Sequence, residues 1–109
     1  MKKFVLWAAL LLGGVSASFA ADHRVRVFDT EFSPKTINAV AGDTITWILQ
    51  PGSTGHIVAS VSIPSGAEPW DAPVNAESPR FRTTVTVPGL YRYHCRIHLF
   101  MKGTINVTQ

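Results

Sequence analysis

A thiol, an imidazole and a thioether recur at three-residue steps late in the chain, as Cys95-x-x-His98-x-x-Met101. Cys95 is the only cysteine, and Met101 is the only methionine besides Met1. Thiolate, imidazole and thioether form a soft donor set that suits copper and suits magnesium or calcium poorly. Zinc takes Cys, His and carboxylate and does not recruit Met. Copper cycling between Cu(I) and Cu(II) is the usual reason to place two sulfurs of different softness beside imidazole. One strong donor is missing from the segment, a second histidine. His56, behind the loop Pro51-Gly52-Ser53-Thr54-Gly55, is the candidate. The competing reading makes Cys95 a small buried hydrophobe and Met101 a core filler; it must treat the spacing as coincidence.

Such donors need a rigid frame, and the chain reads as strands. Segments 23–28, 36–40, 44–50, 57–61, 81–87, 90–95 and 103–108 alternate or run apolar, with turn residues between them. No stretch after residue 20 sustains a helical period. About seven short strands argue for an all-β, antiparallel Greek-key sandwich. Segment 62–79 holds Pro64, Pro69, Pro73 and Pro79 and reads as irregular, with a short helical turn near Trp70. Alternation puts Tyr91, Tyr93 and Cys95 on the buried face of their strand and Arg92, His94 and Arg96 on the other. His94 is therefore not expected to be a ligand. Trp47 is expected in the core.

The opening residues read as an export signal over 1–20. Lys2 and Lys3 precede an apolar run from Phe4 to Leu12, and Ser18 and Ala20 fit cleavage after Ala20. The run is short for a membrane span. Cleavage leaves a single domain over 21–109, which is 89 of the 109 residues. Without Lys2 and Lys3, eight basic residues face seven acidic ones, so the basic balance of the full chain is partly a property of the leader. Nothing in that balance asks for a nucleic acid. A lone cysteine in an exported chain cannot make an internal disulfide, so it is buried, paired between chains or a ligand.

The run Tyr91-x-Tyr93-His94-Cys95-x-x-His98-x-x-Met101-x-Gly103-x-Ile105-x-Val107 resembles the metal-binding end of the cupredoxins, the small blue copper proteins. The turns at Ala41-Gly42-Asp43 and Pro88-Gly89 resemble theirs as well. The two-residue gap between His98 and Met101, and the 39 positions separating His56 from Cys95, resemble amicyanin more than plastocyanin. The resemblance implies one type 1 copper ion, with His56, Cys95 and His98 as strong ligands and Met101 as the long axial one. It implies a periplasmic electron carrier, not an enzyme, which docks transiently with a dehydrogenase donor and a c-type cytochrome acceptor. A monomer with no membrane span in the mature form is expected.

Three positions depart from the family pattern. Ile57 stands where Asn is usual, which removes a side-chain tie between the ligand loops but leaves an N–H near the thiolate. Ile97 stands where Pro is usual, and its N–H is expected to donate to the Cys95 sulfur. Leu99 replaces the Pro expected after the second histidine.

Further residues carry narrower expectations. Tyr91 and Tyr93 are core residues, one of them a tyrosine corner, or relay aromatics. Leu99 and Phe100 form an apolar patch beside His98, and Arg96, Lys102, Arg92 and Arg80 a basic rim around it. Ala21-Asp22-His23 at a free terminus could chelate Cu(II) in a square plane. Against the carrier stands copper delivery, which wants an exchangeable, Met- or His-rich site. A copper enzyme needs a second metal centre and a longer chain.

Overall fold

The computed structural model describes residues 19–109. The leader expected over 1–20 falls almost wholly outside them. The described chain is all β. Nine strands run β1 (Asp22–Val27), β2 (Phe32–Ser33), β3 (Thr36–Val40), β4 (Asp43–Leu49), β5 (His56–Ser62), β6 (Asp71–Val74), β7 (Arg80–Val85), β8 (Gly89–Cys95) and β9 (Lys102–Thr108).

They form two facing sheets. A four-stranded sheet has the order β2-β1-β4-β7, and a five-stranded sheet the order β3-β9-β8-β5-β6. The strands alternate as the sequence suggests. Val25, Val27, Ile45 and Trp47 from one sheet meet Ile37, Val58, Tyr91, Tyr93, Cys95 and Ile105 from the other, all in the core. Trp47 is fully buried and packs against Tyr93, Trp70 and Phe81 at ring-centroid distances of 5.1, 5.6 and 5.6 Å.

The sandwich is not wholly antiparallel. β1 pairs parallel with β4, and β3 pairs parallel with β9. Parallel pairs need long crossover connections, and here the crossovers pass from one sheet to the other. Two short strands escape the sequence reading. β2 has only two residues and leaves no periodic signal. β6 contains Pro73, which a central strand would not tolerate, but β6 is the edge of its sheet, where a missing N–H costs nothing. The helical turn expected near Trp70 is absent. Trp70 is extended and buried, its N–H donating to Ser60 Oγ at 3.0 Å while its carbonyl accepts Ser60 N–H at 2.9 Å.

Tyr91 is the tyrosine corner. Its hydroxyl donates to the Val87 carbonyl at 2.7 Å and accepts the Val87 N–H at 3.3 Å. Tyr93 is buried without such a partner, and burial pushes its phenol up to about 12.

Candidate metal centre

β5 and β8 are antiparallel neighbours in a register that sets Val58 opposite Cys95. His56, the first residue of β5, and Cys95, the last of β8, therefore reach the same end of the sheet. The segment 96–101 joins β8 to β9 and is drawn tight at its base. Cys95 N–H donates to the Met101 carbonyl at 3.0 Å, and Met101 N–H to the His98 carbonyl at 2.9 Å. Arg96 N–H donates to the Ile57 carbonyl at 2.9 Å, which fastens this segment to β5.

The result is a group of three donor atoms. His56 Nδ1 and Cys95 Sγ are 3.5 Å apart, Cys95 Sγ and His98 Nδ1 3.8 Å, and the two Nδ1 atoms 3.2 Å. A point equidistant from all three lies about 2.0 Å from each by these distances, against metal bonds of ~2.0–2.1 Å to imidazole nitrogen and ~2.3 Å to thiolate sulfur. Two imidazole nitrogens and a sulfur turned inward on one point are three Lewis bases that a shared cation reconciles. The residues present thus fit a metal ion, and the single soft thiolate fits copper. Met101 is 1% exposed, and its backbone is bonded to both Cys95 and His98, which closes the loop at its base. His56 and Cys95 are buried, whereas His98 is half-buried. His94 faces away and does not join the group.

Asp29, which the sequence reading passed over, completes the surroundings. It sits in the turn after β1. Its Oδ1 accepts the Thr54 N–H at 2.7 Å, the Thr54 hydroxyl at 2.8 Å and His56 Nε2 at 3.2 Å. With Nε2 on a carboxylate, that nitrogen carries the proton and Nδ1 keeps its lone pair for the metal side. The Thr54 N–H, then its hydroxyl, hold the Asp29 carboxyl below the usual carboxylate value. Burial holds the His56 imidazolium below the usual histidine value, against the pull of Asp29. Both shifts favour an ionised Asp29 and a neutral His56. Asp29 also ties the turn after β1 to the loop before β5. The contact spans 27 residues, and an aspartate in a turn gives no sign of it.

Three expectations about neighbours change. The hydrogen bond to the Cys95 sulfur comes from His98 N–H, at 3.4 Å, and not from Ile97 or Ile57. The turn that brings His98 back to the metal side points its own amide at the sulfur three residues earlier, while Ile97 sits at the exposed apex (55%). The basic rim is divided as well. Arg96 is paired with Asp71 at 3.2 Å, Arg92 and Lys102 lie on the outside of the five-stranded sheet, and Arg80 lies on the four-stranded one. His23 is committed to β1, with Nε2 2.9 Å from Asp43 Oδ2, while Ala21 N–H donates to Asp43 Oδ1 at 2.9 Å. Asp43 thus holds both ends of the segment that a terminal chelate would use.

Known proteins resemble this chain in sequence and in fold. Pseudoazurin of Paracoccus pantotrophus is 31% identical over 110 residues, covering 94% of this chain and 72% of its own. Amicyanin of Paracoccus denitrificans is 29% identical over 85 residues, covering 76% of this chain and 63% of its own. Among solved structures, a copper-containing nitrite reductase from Thermus scotoductus superposes with a TM-score of 0.72 at 27% identity; the match covers 88% of this chain but only 24% of that enzyme. The sequence profile of the copper binding proteins matches residues 21–108, so the chain belongs to their plastocyanin/azurin family and its cofactor is copper.

Proposed function

We propose that this protein carries single electrons, with copper held by His56, Cys95 and His98 as strong ligands and by Met101 as a weak axial one. One observation carries the reading: two imidazole nitrogens and one cysteine sulfur are gathered around a single point, His56 and Cys95 from the ends of two paired strands and His98 from the segment that follows β8. Bound copper supplies the one-electron couple. The protein's part is to keep the donors still between the two oxidation states. Antiparallel pairing fixes His56 against Cys95, Asp29 sets the His56 tautomer, and the His98 amide stabilises the thiolate. Water is kept from the buried donors, and only the His98 ring approaches the surface. Ile97, Leu99 and Phe100, at 55, 60 and 65% exposure, surround it with an apolar patch on which a partner can seat.

A closed, largely buried site suits a resident metal better than a delivered one. The reading extends to a periplasmic protein of residues 21–109, freed of its leader and acting as a monomer. Its donor and acceptor are transient protein partners, a dehydrogenase and a c-type cytochrome by family resemblance. Among the described residues no helix is long and apolar enough to cross a membrane. The test is one equivalent of Cu(II) added to the apoprotein, read by visible absorption and EPR. An intense blue colour with narrow copper hyperfine splitting, lost in Cys95→Ser, is the expected result. A pale protein with an ordinary type 2 spectrum would put copper delivery in place of electron transfer. Mass spectrometry of the exported protein checks cleavage after Ala20.

A further inference from the structure

The eight basic residues of 21–109 are not spread evenly. Four of the six arginines in the sequence stand together on the outside of the four-stranded sheet. Alternation turns Val25 and Val27 inward, which turns Arg24 and Arg26 outward and exposes them. On β7 the same rule exposes Arg80 and Arg82. The register completes the pattern. Arg24, Thr46 and Arg82 form one cross-strand row, and Arg26, Ile48 and Arg80 the next. Two strand spacings and two residues separate the corners, so the arginines mark a rectangle of roughly 10 by 7 Å at their Cα atoms.

Counter-charge is nearly missing from this face. Asp22, in the third row, is its one carboxylate among these rows, and it is engaged: it accepts the Thr44 and Thr46 hydroxyls at 2.7 and 2.8 Å and Arg24 Nε at 3.3 Å. Arg26, Arg80 and Arg82 have no ion pair among the described residues. A domain with nearly balanced charge thus concentrates three unpaired guanidinium groups on one rigid sheet. Beside them, Arg24, Arg26, Ser33, Pro34, Ile48 and Gln50 line a shallow hollow of about 470 Å³. Like charges held this close repel, and a facing set of anions relieves the repulsion.

We propose that this arginine face is a docking surface for an acidic face of a redox protein partner, separate from the apolar loop at His98. The occupant follows from the surroundings. Guanidinium groups pair bidentately with carboxylates. A lipid-binding face would set apolar residues to insert beside its cations, but the exposed large apolar residues of the described chain, Phe19, Val40, Val61, Leu90, Ile97, Leu99 and Phe100, all lie off β1, β4 and β7. A single-stranded nucleic acid would want exposed aromatics for stacking, and these strands expose none. The position also serves electron transfer. β1 and β4 both run toward the metal end, and the Arg26–Ile48–Arg80 row is the one nearer to it. A partner held by the arginines can reach over the rim to His98. This assignment rests on the carrier reading for the partner's redox character, not for its charge.

The test is an amide NMR titration of the Cu(I) protein with poly-L-glutamate at low and at physiological ionic strength. Shift changes are expected on residues 24–26, 46–48 and 80–82, fading with salt. Arg26→Glu with Arg80→Glu should weaken binding about tenfold or more. Arg92→Glu with Lys102→Glu, on the opposite sheet, should not. Circular dichroism checks the fold, and Arg26→Gln with Arg80→Gln serves if the reversal variant does not fold. Shifts confined to the other sheet or to the metal loop would overturn the proposal, as would undiminished binding by the double variant. Preferential binding of phosphatidylglycerol vesicles would overturn it in favour of a lipid surface. Loss of the blue spectrum would sink the carrier reading and leave this shift map intact, so the two failures are distinguishable.

Discussion

Gly103 faces Tyr93 directly across β8 and β9, and the tyrosine ring lies over it. A Cβ added at Gly103 would sit 2.7 Å from Tyr93 Cε1, with the ring's Cζ and hydroxyl closer still. Carbon contacts settle at ~3.5–4.0 Å, so the ring must retreat by about 1 Å. It has no room. Phe32 stands at 4.9 Å and Trp47 at 5.1 Å between ring centroids, and both are fully buried. Gly103 has no left-handed backbone angle, so Gly103→Ala pays only for the collision. Overpacking of this kind costs ~1–3 kcal/mol. In a domain of this size each kcal/mol is worth ~4–8 °C, so the apoprotein should melt about 5–20 °C lower. Heat denaturation followed by circular dichroism measures it. A second arm isolates the cause. Tyr93→Leu removes the colliding atoms, so adding it to Gly103→Ala should cost at least ~1 kcal/mol less than the two single losses together. A loss below ~0.5 kcal/mol for Gly103→Ala, or strict additivity in the cycle, would refute the packing argument. Tyr93 lies two residues before Cys95 on the same face, so the copper spectrum of Gly103→Ala should shift as well.

Asp29→Ala strips His56 Nε2 and Thr54 of their acceptor, and copper affinity should fall ~10–100-fold in a competition titration; affinity within about threefold of the native value would show that Asp29 does not position the ligand. Asp43 is held at about 2 against an ordinary 3.8, by the Val40 N–H first, then His23 and the Ala21 N–H. Its folded pKa is depressed, so its stabilisation is complete above the unfolded value and is lost as pH falls from 3.8 toward about 2. Asp43→Asn should therefore destabilise the protein near neutrality, with the gap to the native protein closing over that window; a gap constant with pH counts against it. Ile97→Pro removes an N–H that makes no bond to the sulfur, so the reduction potential should stay unchanged in voltammetry, and a marked shift would restore the Ile97 donor.

Much of this could be read from residue order because it depends on local period. Alternation through Tyr91, Tyr93 and Cys95 reports burial directly, and all three are in the core. That His56, Cys95 and His98 come together was legible because Cys95 and His98 share one tight loop, and His56 was the histidine placed by a strand start to meet them. What escaped depends on pairing across distance. Whether β1 lies beside β4 in parallel is decided by the sandwich, not by any residue of β1. Asp29 meets His56 only because two separate turns end at the same pole. The sulfur's donor is a matter of turn geometry at single-residue precision, which Ile97 and His98 do not announce. Arg80 and Arg92 read as parts of one basic rim, yet they belong to opposite sheets.

The strand order has a consequence for how the protein is made. β1, the first strand, is an interior member of its sheet, and β9, the last, is an interior member of the other. The four-stranded sheet has no local hairpin at its centre, because β1 and β4 pair in parallel; the five-stranded sheet has one, β8 with β9, but it is the last to be made. β3 has no partner until β9 arrives, some 68 residues later, and β9 is also the strand that draws the metal loop shut. The polypeptide must therefore be synthesised through β9 before this interior can close. Ordered pairing over such separations is slow. The metal pocket, set between β5, β8 and the segment leading into β9, is among the last parts to take shape, so a nascent or partly threaded chain presents Cys95 without its enclosing loop.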